Sequence, residues 1–138
     1  MATFRDLGIV DATFVAGANF SACPYQFVSA GSVVGEVVLA TGTSNPAPIG
    51  IIQNNPSTGQ EARVRVMGYS KLVCETNGTC DLNWRRWVFC ASDGQGEPLV
   101  AGCPVNALYL DANLTSAGSV VARVYLLPMT ASQVGAAS

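Results

Sequence analysis

The sequence predicts an all-β fold, a small antiparallel β-barrel or sandwich-like domain that follows an extended N-terminal arm. No apolar pattern with the helical period of 3.6 residues persists along the chain. The apolar runs are short and rich in Val, and they are bounded by Gly, Pro, Asn and Ser. Such runs are typical of a protein built from strands, and 138 residues are the length of one domain.

The apolar runs predict seven strands and one further segment that is either a short strand or a loop. In "ARVRV", Val64 and Val66 alternate with Arg63 and Arg65, so we expect one buried and one solvated face. The strands are predicted at Tyr25–Ser29, Val33–Ala40, Ile49–Gln53, Ala62–Met67, Ser70–Cys74, Trp87–Ala91 and Ser119–Leu127, and the short segment at Ala107–Leu110.

Turn-forming residues separate these strands. The polar segment "QNNPSTGQE" contains Asn55-Pro56 and Thr58-Gly59, and a β-hairpin connection explains it without any ligand. "ASDGQGE" contains Asp93-Gly94 and is also predicted to be a turn, as is "AGS" before the last strand.

The last predicted strand has two faces that are both largely apolar. One face consists of Val120, Ala122, Val124 and Leu126, and the other of Val121, Arg123, Tyr125 and Leu127. The second face is too apolar to be fully solvated. It is therefore either a second core face or an interface between subunits.

The two ends of the chain differ in composition from the centre. Residues 1–24 lack clean alternation and are predicted to form an extended arm, followed by the β domain at residues 25–128. Residues 129–138 are small and polar and are predicted to form a flexible tail. No apolar run has the length of a signal peptide or a membrane span. We expect a protein without a membrane partner that is synthesised in the cytoplasm.

Composition argues against several classes of function. Charged residues make up only 12% of the chain, so part of the surface is expected to be covered by partners. The net charge of −2 disfavours a nucleic-acid partner, which requires a basic footprint. The chain has no His, which removes the usual general base and zinc ligand, and its carboxylates are scattered. We predict no enzyme activity, no catalytic residues, no metal site and no cofactor.

The five cysteines leave two interpretations open. They are Cys23, Cys74, Cys80, Cys90 and Cys103. They lack the paired spacing that is typical of a zinc site. One interpretation is buried free thiols, and the other is one or two disulfides formed outside a reducing compartment. The segment "CETNGTC" could close across a hairpin, but the connectivity does not follow from the sequence.

The segment "NWRRWVFC" contains both tryptophans and two of the seven basic residues. Trp and Arg are the residue types that anchor protein–protein interfaces, since both bury a large area and still offer a hydrogen-bond donor. Trp84, Arg85, Arg86 and Trp87 are therefore predicted interface residues. One core Trp with solvated arginines, or stacking on single-stranded nucleic acid, are the alternatives.

Three stretches together carry a resemblance to a known family. They are "PIGIIQNNPSTGQEARVRVMGYSKLV", "WVFCASDGQGE" and "AGSVVARVYLLP", and the resemblance that they carry covers roughly Ile49 to Leu127. This pattern resembles the head decoration, or capsid cement, proteins of tailed bacteriophages. The cysteines and the long aromatic segment "CETNGTCDLNWRRWVFC" depart from the family pattern, so the resemblance does not extend to them.

The resemblance implies a structural virion protein, often a homotrimer, on the outer capsid surface. Its partner would be the major capsid protein, and it would stabilise the expanded shell by clamping neighbouring subunits. The N-terminal segment Thr3–Phe14 would supply strand pairing, so Thr3, Phe4, Arg5 and Phe14 join the predicted interface residues. The alternative function is a carbohydrate- or receptor-binding β-module of a phage tail or another surface structure.

Overall fold

The computed structural model describes residues 9–42, 47–76, 81–99, 105–114 and 119–126. These residues form nine strands and no α-helix, which confirms the all-β prediction. The strands are β1 Val10–Ala16, β2 Phe27–Ala30, β3 Glu36–Leu39, β4 Pro48–Ile52, β5 Glu61–Glu75, β6 Trp87–Cys90, β7 Gly96–Pro98, β8 Ala107–Tyr109 and β9 Ser119–Leu126. None of the described ranges contains a helix that could cross a membrane.

The long strand β5 organises the whole fold. Its first half, up to Met67, pairs with β1 on one side and with β4 on the other. From Gly68 onward it pairs with β9, and at Cys74 it also forms a parallel bridge with β7. The change of neighbours takes place at Gly68, which has a φ of 105°, a backbone conformation that glycine adopts readily.

Two closed circuits of paired strands share β5. The first runs β1-β3-β2-β4-β5 and returns to β1, which makes a five-stranded barrel. The second runs β5-β7-β6-β8-β9 and returns to β5. A single bridge, Cys74 to Gly96, connects β5 with β7 in the second circuit. Every described strand therefore has a paired neighbour on both sides, an arrangement that removes most open sheet edges.

The two circuits enclose two hydrophobic clusters, and strands β2 and β4 lie between them. On β4, Ile51 belongs to one cluster with Leu72 and Val88, while its neighbour Ile52 belongs to the other. Because successive side chains of a strand point to opposite faces, β4 contributes to both clusters at once. Phe27 and Val28 of β2 divide in the same way.

The turn between β6 and β7 joins the second circuit to the first barrel. The amide of Phe27 donates to the carbonyl of Gly94 over 2.8 Å. A Cβ placed on Gly94 would approach the Leu39 side chain to 2.8 Å, and Gly94 also has a φ of 81°. The positive φ and the close packing both favour glycine here, and the hydrogen bond to Phe27 ties the turn to β2.

The β4–β5 hairpin is confirmed, and the polar side chains of its loop form hydrogen bonds with the backbone of the hairpin. The side chain of Asn54 donates to the carbonyl of Glu61 and accepts from the amide of Arg63. The side chain of Gln60 accepts from the amide of Ser57. These side-chain hydrogen bonds replace the backbone hydrogen bonds between strands that the loop cannot make, as expected for Asn and Gln in a turn.

Several predicted boundaries were wrong. The strand predicted from Tyr25 begins at Phe27, and Tyr25 itself has a φ of 56°. Ala62–Met67 and Ser70–Cys74 are one strand, because the backbone passes through Gly68 without leaving the sheet. The predicted turn "ASDGQGE" ends in strand β7. The strand predicted from Val33 begins only at Glu36, because the preceding residues form an exposed turn.

The last strand buries one face, as predicted, although Val120 at its start is exposed. The opposite face carries Val121, Arg123 and Tyr125, and its first two residues are exposed. Within the described residues this face is therefore surface and not a second core.

Candidate functional site

The outer surface of the β5–β9 pair gathers aromatic and cationic side chains. Three cross-strand pairs make up this β5–β9 face, and each pair joins residues of similar type. The pairs are Tyr69 with Tyr125, Lys71 with Arg123 and Val73 with Val121. The alternate residues of β5, such as Leu72 and Cys74, point into the core and hold the strand in place.

Two hollows open on this face. The larger has a volume of about 380 Å³, and its lining includes Tyr25, Arg65 and Lys71. The smaller has a volume of about 290 Å³, and its lining includes Trp84 and Leu110. Tyr69 and Arg123 line both hollows, and we call the two together the β5–β9 groove.

The three cations of the groove have different partners. Arg65 forms a bidentate pair with Asp11, at 2.8 and 3.1 Å, and its side chain also donates to the carbonyl of Tyr69. Arg123 lies 3.5 Å from a carboxylate oxygen of Asp111, and its side chain is 74% exposed. Backbone amides of Ala112 and Arg123 donate to Asp111 and lower the pKa of that carboxyl group.

Lys71 has an aromatic partner. Its Nζ atom lies 5.6 Å from the centre of the Tyr25 ring, within the range of a cation–π contact. In the described parts of the chain no carboxylate lies within ion-pair distance of Lys71. Among the described residues, the positive charge of Lys71 is therefore not balanced by a carboxylate.

A strained turn presents Trp84 beside the groove. The amide of Trp84 donates to the side chain of Asn113, and the amide of Arg85 donates to the carbonyl of Tyr109. Arg85 has a φ of 71°, which is uncommon for a residue with a Cβ. These bonds hold the turn while the Trp84 side chain remains 59% exposed.

The predicted interface residues are only partly brought together. Trp84, Arg85 and Trp87 are exposed, and Arg86 is half-buried and donates to the carbonyl of Leu99. Trp84 lines the groove, whereas Trp87 begins β6 and is paired with Leu108. The position of Trp84 beside Tyr69 follows from the tertiary structure alone.

Of the predicted N-terminal interface residues, only Phe14 lies among the described residues. Thr3, Phe4 and Arg5 lie outside the described residues. Phe14 is half-buried and packs against the cluster of the first barrel. Its strand pairs with β5 of the same chain, so a deletion that tests the arm must end before Ile9 to spare this strand. The division into arm, domain and tail stays a prediction.

Three of the cysteines are free thiols in this structure, namely Cys23, Cys74 and Cys90. Burial raises the pKa of Cys74 to about 12, and nearby Asp111 adds to the effect. Burial also raises the pKa of Cys90 to about 12. Both thiols are therefore protonated at neutral pH and are poor nucleophiles. Cys80 and Cys103 lie outside the described residues, and the disulfide alternative stays a prediction.

A carboxylate cluster was not anticipated from the sequence. Glu75, Asp93 and Glu97 each place an oxygen within 4.8 Å of the others. The turn after β6 and strand β7 bring the last two beside the end of β5, although they are far from Glu75 along the chain. The Asp93-Gly94 turn can be recognised in the sequence. The sequence does not show which residues that turn packs against, so the carboxylate cluster could not be predicted.

Replacing Glu75 with Gln is expected to flatten the pH dependence of stability. Burial, followed by hydrogen bonding and repulsion from Asp93 and Glu97, raises the pKa of Glu75 from 4.5 to about 7. The folded state thus retains a proton that the unfolded chain releases. The stabilisation is complete below about pH 4.5 and is lost as the pH rises to about 7.

Urea unfolding of the wild-type protein and of Glu75→Gln between pH 4 and pH 8 measures this effect. The control is Glu61→Gln, which removes an exposed carboxylate from the other end of β5. If Glu75→Gln and the wild-type protein keep the same pH profile, the proposed titration is wrong.

Comparison with known proteins supports the fold. No family model matches the chain, and no curated protein matches it. Among solved structures it is similar to the head fiber gp8.5 N base of bacteriophage phi29, with a TM-score of 0.55. The likeness is one of fold. The match covers 88% of this chain and 99% of that chain at 15% sequence identity, so nearly the whole phage domain has a counterpart here.

Proposed function

We propose that this protein is a structural component of a phage virion, bound to the outer surface of the capsid. There it stabilises the expanded shell by clamping neighbouring major capsid proteins. The observation that carries the proposal is the fold shared with a phage head fiber base over 88% of this chain. A protein that binds the expanded shell in preference to other states shifts the equilibrium toward that shell.

An exposed apolar tip suits contact with another protein. Val33 and Val34 lie in the turn between β2 and β3, where polar residues are usual, and Val34 is fully exposed. The amide of Val15 donates to the carbonyl of Gly35, so the exposed Val15 side chain belongs to the same region. Apolar side chains grouped on a surface favour a protein interface.

The closed circuits indicate how such an interface would form. Adding a partner's strand requires an open sheet edge, and the described strands are paired on both sides. Contacts through exposed side chains, such as Val33 and Val34, are therefore favoured within this part of the chain. Pairing through residues 1–8 and assembly as a homotrimer remain part of the proposal.

A structural role also agrees with the chemistry of the side chains. The chain has no His, and the buried thiols of Cys74 and Cys90 are held protonated. A catalytic Ser or Cys nucleophile usually needs an activating base such as His beside it. These properties favour a binding protein over an enzyme.

Val34→Asp is expected to weaken binding to purified expanded capsids by about tenfold or more, since a charge would be buried at the centre of an apolar contact. Co-sedimentation with capsids measures the binding, and mass measurement of the free protein gives its oligomeric state. Thr58→Asp places the same charge on another exposed loop and serves as the control. A wild-type monomer that does not sediment with capsids would contradict the proposal.

The second candidate function is a carbohydrate- or receptor-binding module. The observation that favours it is the exposed Trp84 side chain in the wall of the β5–β9 groove, where the described residues provide Lys71 with no carboxylate partner. Binding to glycans without any affinity for capsids would support this function over the first.

A further inference from the structure

We propose that the β5–β9 groove binds an acidic saccharide. The sugar ring packs against Tyr69 and Trp84, and its carboxylate or phosphate group lies between Lys71 and Arg123. The inference specifies the ligand of the second candidate function, and it does not depend on capsid binding.

The pairing of charges across the strands favours an anion. Lys71 and Arg123 lie directly opposite each other in the β5–β9 register. Like charges in this arrangement destabilise a sheet. Asp111 balances Arg123 in part, while the described residues provide Lys71 with no carboxylate. An anion placed between the two cations would relieve their repulsion and form charge-assisted hydrogen bonds with both.

Both aromatic rings of the proposed site are accessible, and the Tyr69 ring also packs against a second ring. Tyr125 contacts Tyr69 edge to face, with ring centres 5.0 Å apart, and Tyr69 is still 53% exposed. The hydrogen bond from the Trp84 amide to Asn113 fixes the backbone of the turn that carries the Trp84 ring, and Trp84 lines the smaller hollow. Aromatic rings with an apolar body and a polar edge suit a ligand that has both kinds of surface.

The size and polarity of the groove fit a short saccharide. Its larger hollow lies within the range of about 300–1,000 Å³ that is usual for small-ligand sites. Gln53 and Ser70 contribute polar atoms to the lining, and the Gln53 side chain donates to the Ser70 hydroxyl over 2.9 Å. The Nε2 donors of Gln53 and the hydroxyl hydrogen of Ser70 already have partners in the chain, so these groups can offer a sugar hydroxyl only their acceptor oxygens.

A nucleic acid fits the groove less well. Arg65 is already paired with Asp11, and Arg123 lies beside Asp111. The chain as a whole is acidic, whereas nucleic-acid affinity grows with the number of phosphates neutralised. One anionic group between two cations is the better match.

Fluorescence titration of the full-length protein tests the proposal. The chain has two tryptophans, so Trp87→Phe leaves Trp84 as the only indole reporter. The probes are a galacturonic acid trimer, maltotriose 6-phosphate, neutral maltotriose and a tetraglutamate peptide. We expect one or both acidic saccharides to bind and to shift the Trp84 emission. The stronger of the two identifies the acid group.

Variants then locate the site. Lys71→Ala, Arg123→Ala and Tyr69→Ala are each expected to weaken binding of the acidic saccharide by about tenfold. Arg63→Ala removes an equal charge from the solvated face of β5 outside the groove, and it should leave binding unchanged. Thermal unfolding checks that all variants are folded. Capsid co-sedimentation should be unchanged in Lys71→Ala, which separates this proposal from the capsid function.

Several results would overturn the inference. They are binding of maltotriose as strong as that of the acidic sugars, binding of tetraglutamate alone, no binding of either acidic saccharide, or an equal loss in Arg63→Ala and Lys71→Ala. The last of these would show a general charge effect without a site.

Discussion

Gly50→Ala is expected to lower the free energy of unfolding by about 3 kcal/mol, because a Cβ at this position overlaps a backbone atom. The added atom would lie 2.3 Å from the carbonyl oxygen of Arg65 and 2.7 Å from a methyl group of Val64. Both belong to β5, which pairs with β4 to close the first barrel. A backbone oxygen cannot rotate away, so the two strands must separate.

Chemical denaturation with guanidinium, combined with near-UV circular dichroism, measures this loss. Gly50→Val should have a still larger effect because it adds two further methyl groups. Gly59→Ala is the matched control. Gly59 has a φ of 88° and open space around its Cβ position, so only backbone strain of about 1 kcal/mol is expected there. Equal losses in Gly50→Ala and Gly59→Ala would contradict the close approach of β4 and β5.

Ile51→Ala and Ile52→Ala are each expected to destabilise the protein by about 2–5 kcal/mol, the usual range for a large aliphatic side chain removed from a core. Both side chains are fully buried, although they are neighbours on one strand. Ile51 packs with the cluster of the second circuit, and Ile52 packs inside the first barrel. An ordinary strand with one solvated face would lose stability at only one of these positions.

Equilibrium unfolding of the single variants and the double variant tests this arrangement. The losses from Ile51→Ala and Ile52→Ala should add, since the two side chains belong to different clusters. Ile49→Ala is the control on the same strand, and it should cost less because Ile49 is only half-buried. A near-neutral result at Ile51 or at Ile52 would mean that β4 does not separate two cores.

The two candidate functions use different parts of the surface. The proposed capsid contact lies at the tip of the β2–β3 turn, at Val33 and Val34. The proposed saccharide site lies on the β5–β9 face, around Lys71 and Arg123. Substitutions at one surface can therefore be examined without disturbing the other, and both functions can coexist in one protein.

Part of the candidate site could be predicted from the sequence. Trp84 stood out because Trp is rare in the chain and two arginines follow it. The role of Tyr69 and Lys71 could not be predicted, because they lie in an ordinary alternating strand. Their importance depends on the opposite strand, β9, which is about fifty residues away along the chain. Cross-strand register is a long-range property that local pattern does not contain.

The sequence by itself determined the all-β class, the β4–β5 hairpin and the buried face of the last strand. These features depend on local alternation and on turn residues such as Asn55-Pro56. The tertiary structure alone decided that β5 continues through Gly68, that two circuits close around it, and that the carboxylates of Glu75 and Glu97 meet. The physical reason is that a strand's neighbours and the packing of its second face are set by contacts between distant segments. Residues beside one another in the sequence therefore do not reveal them.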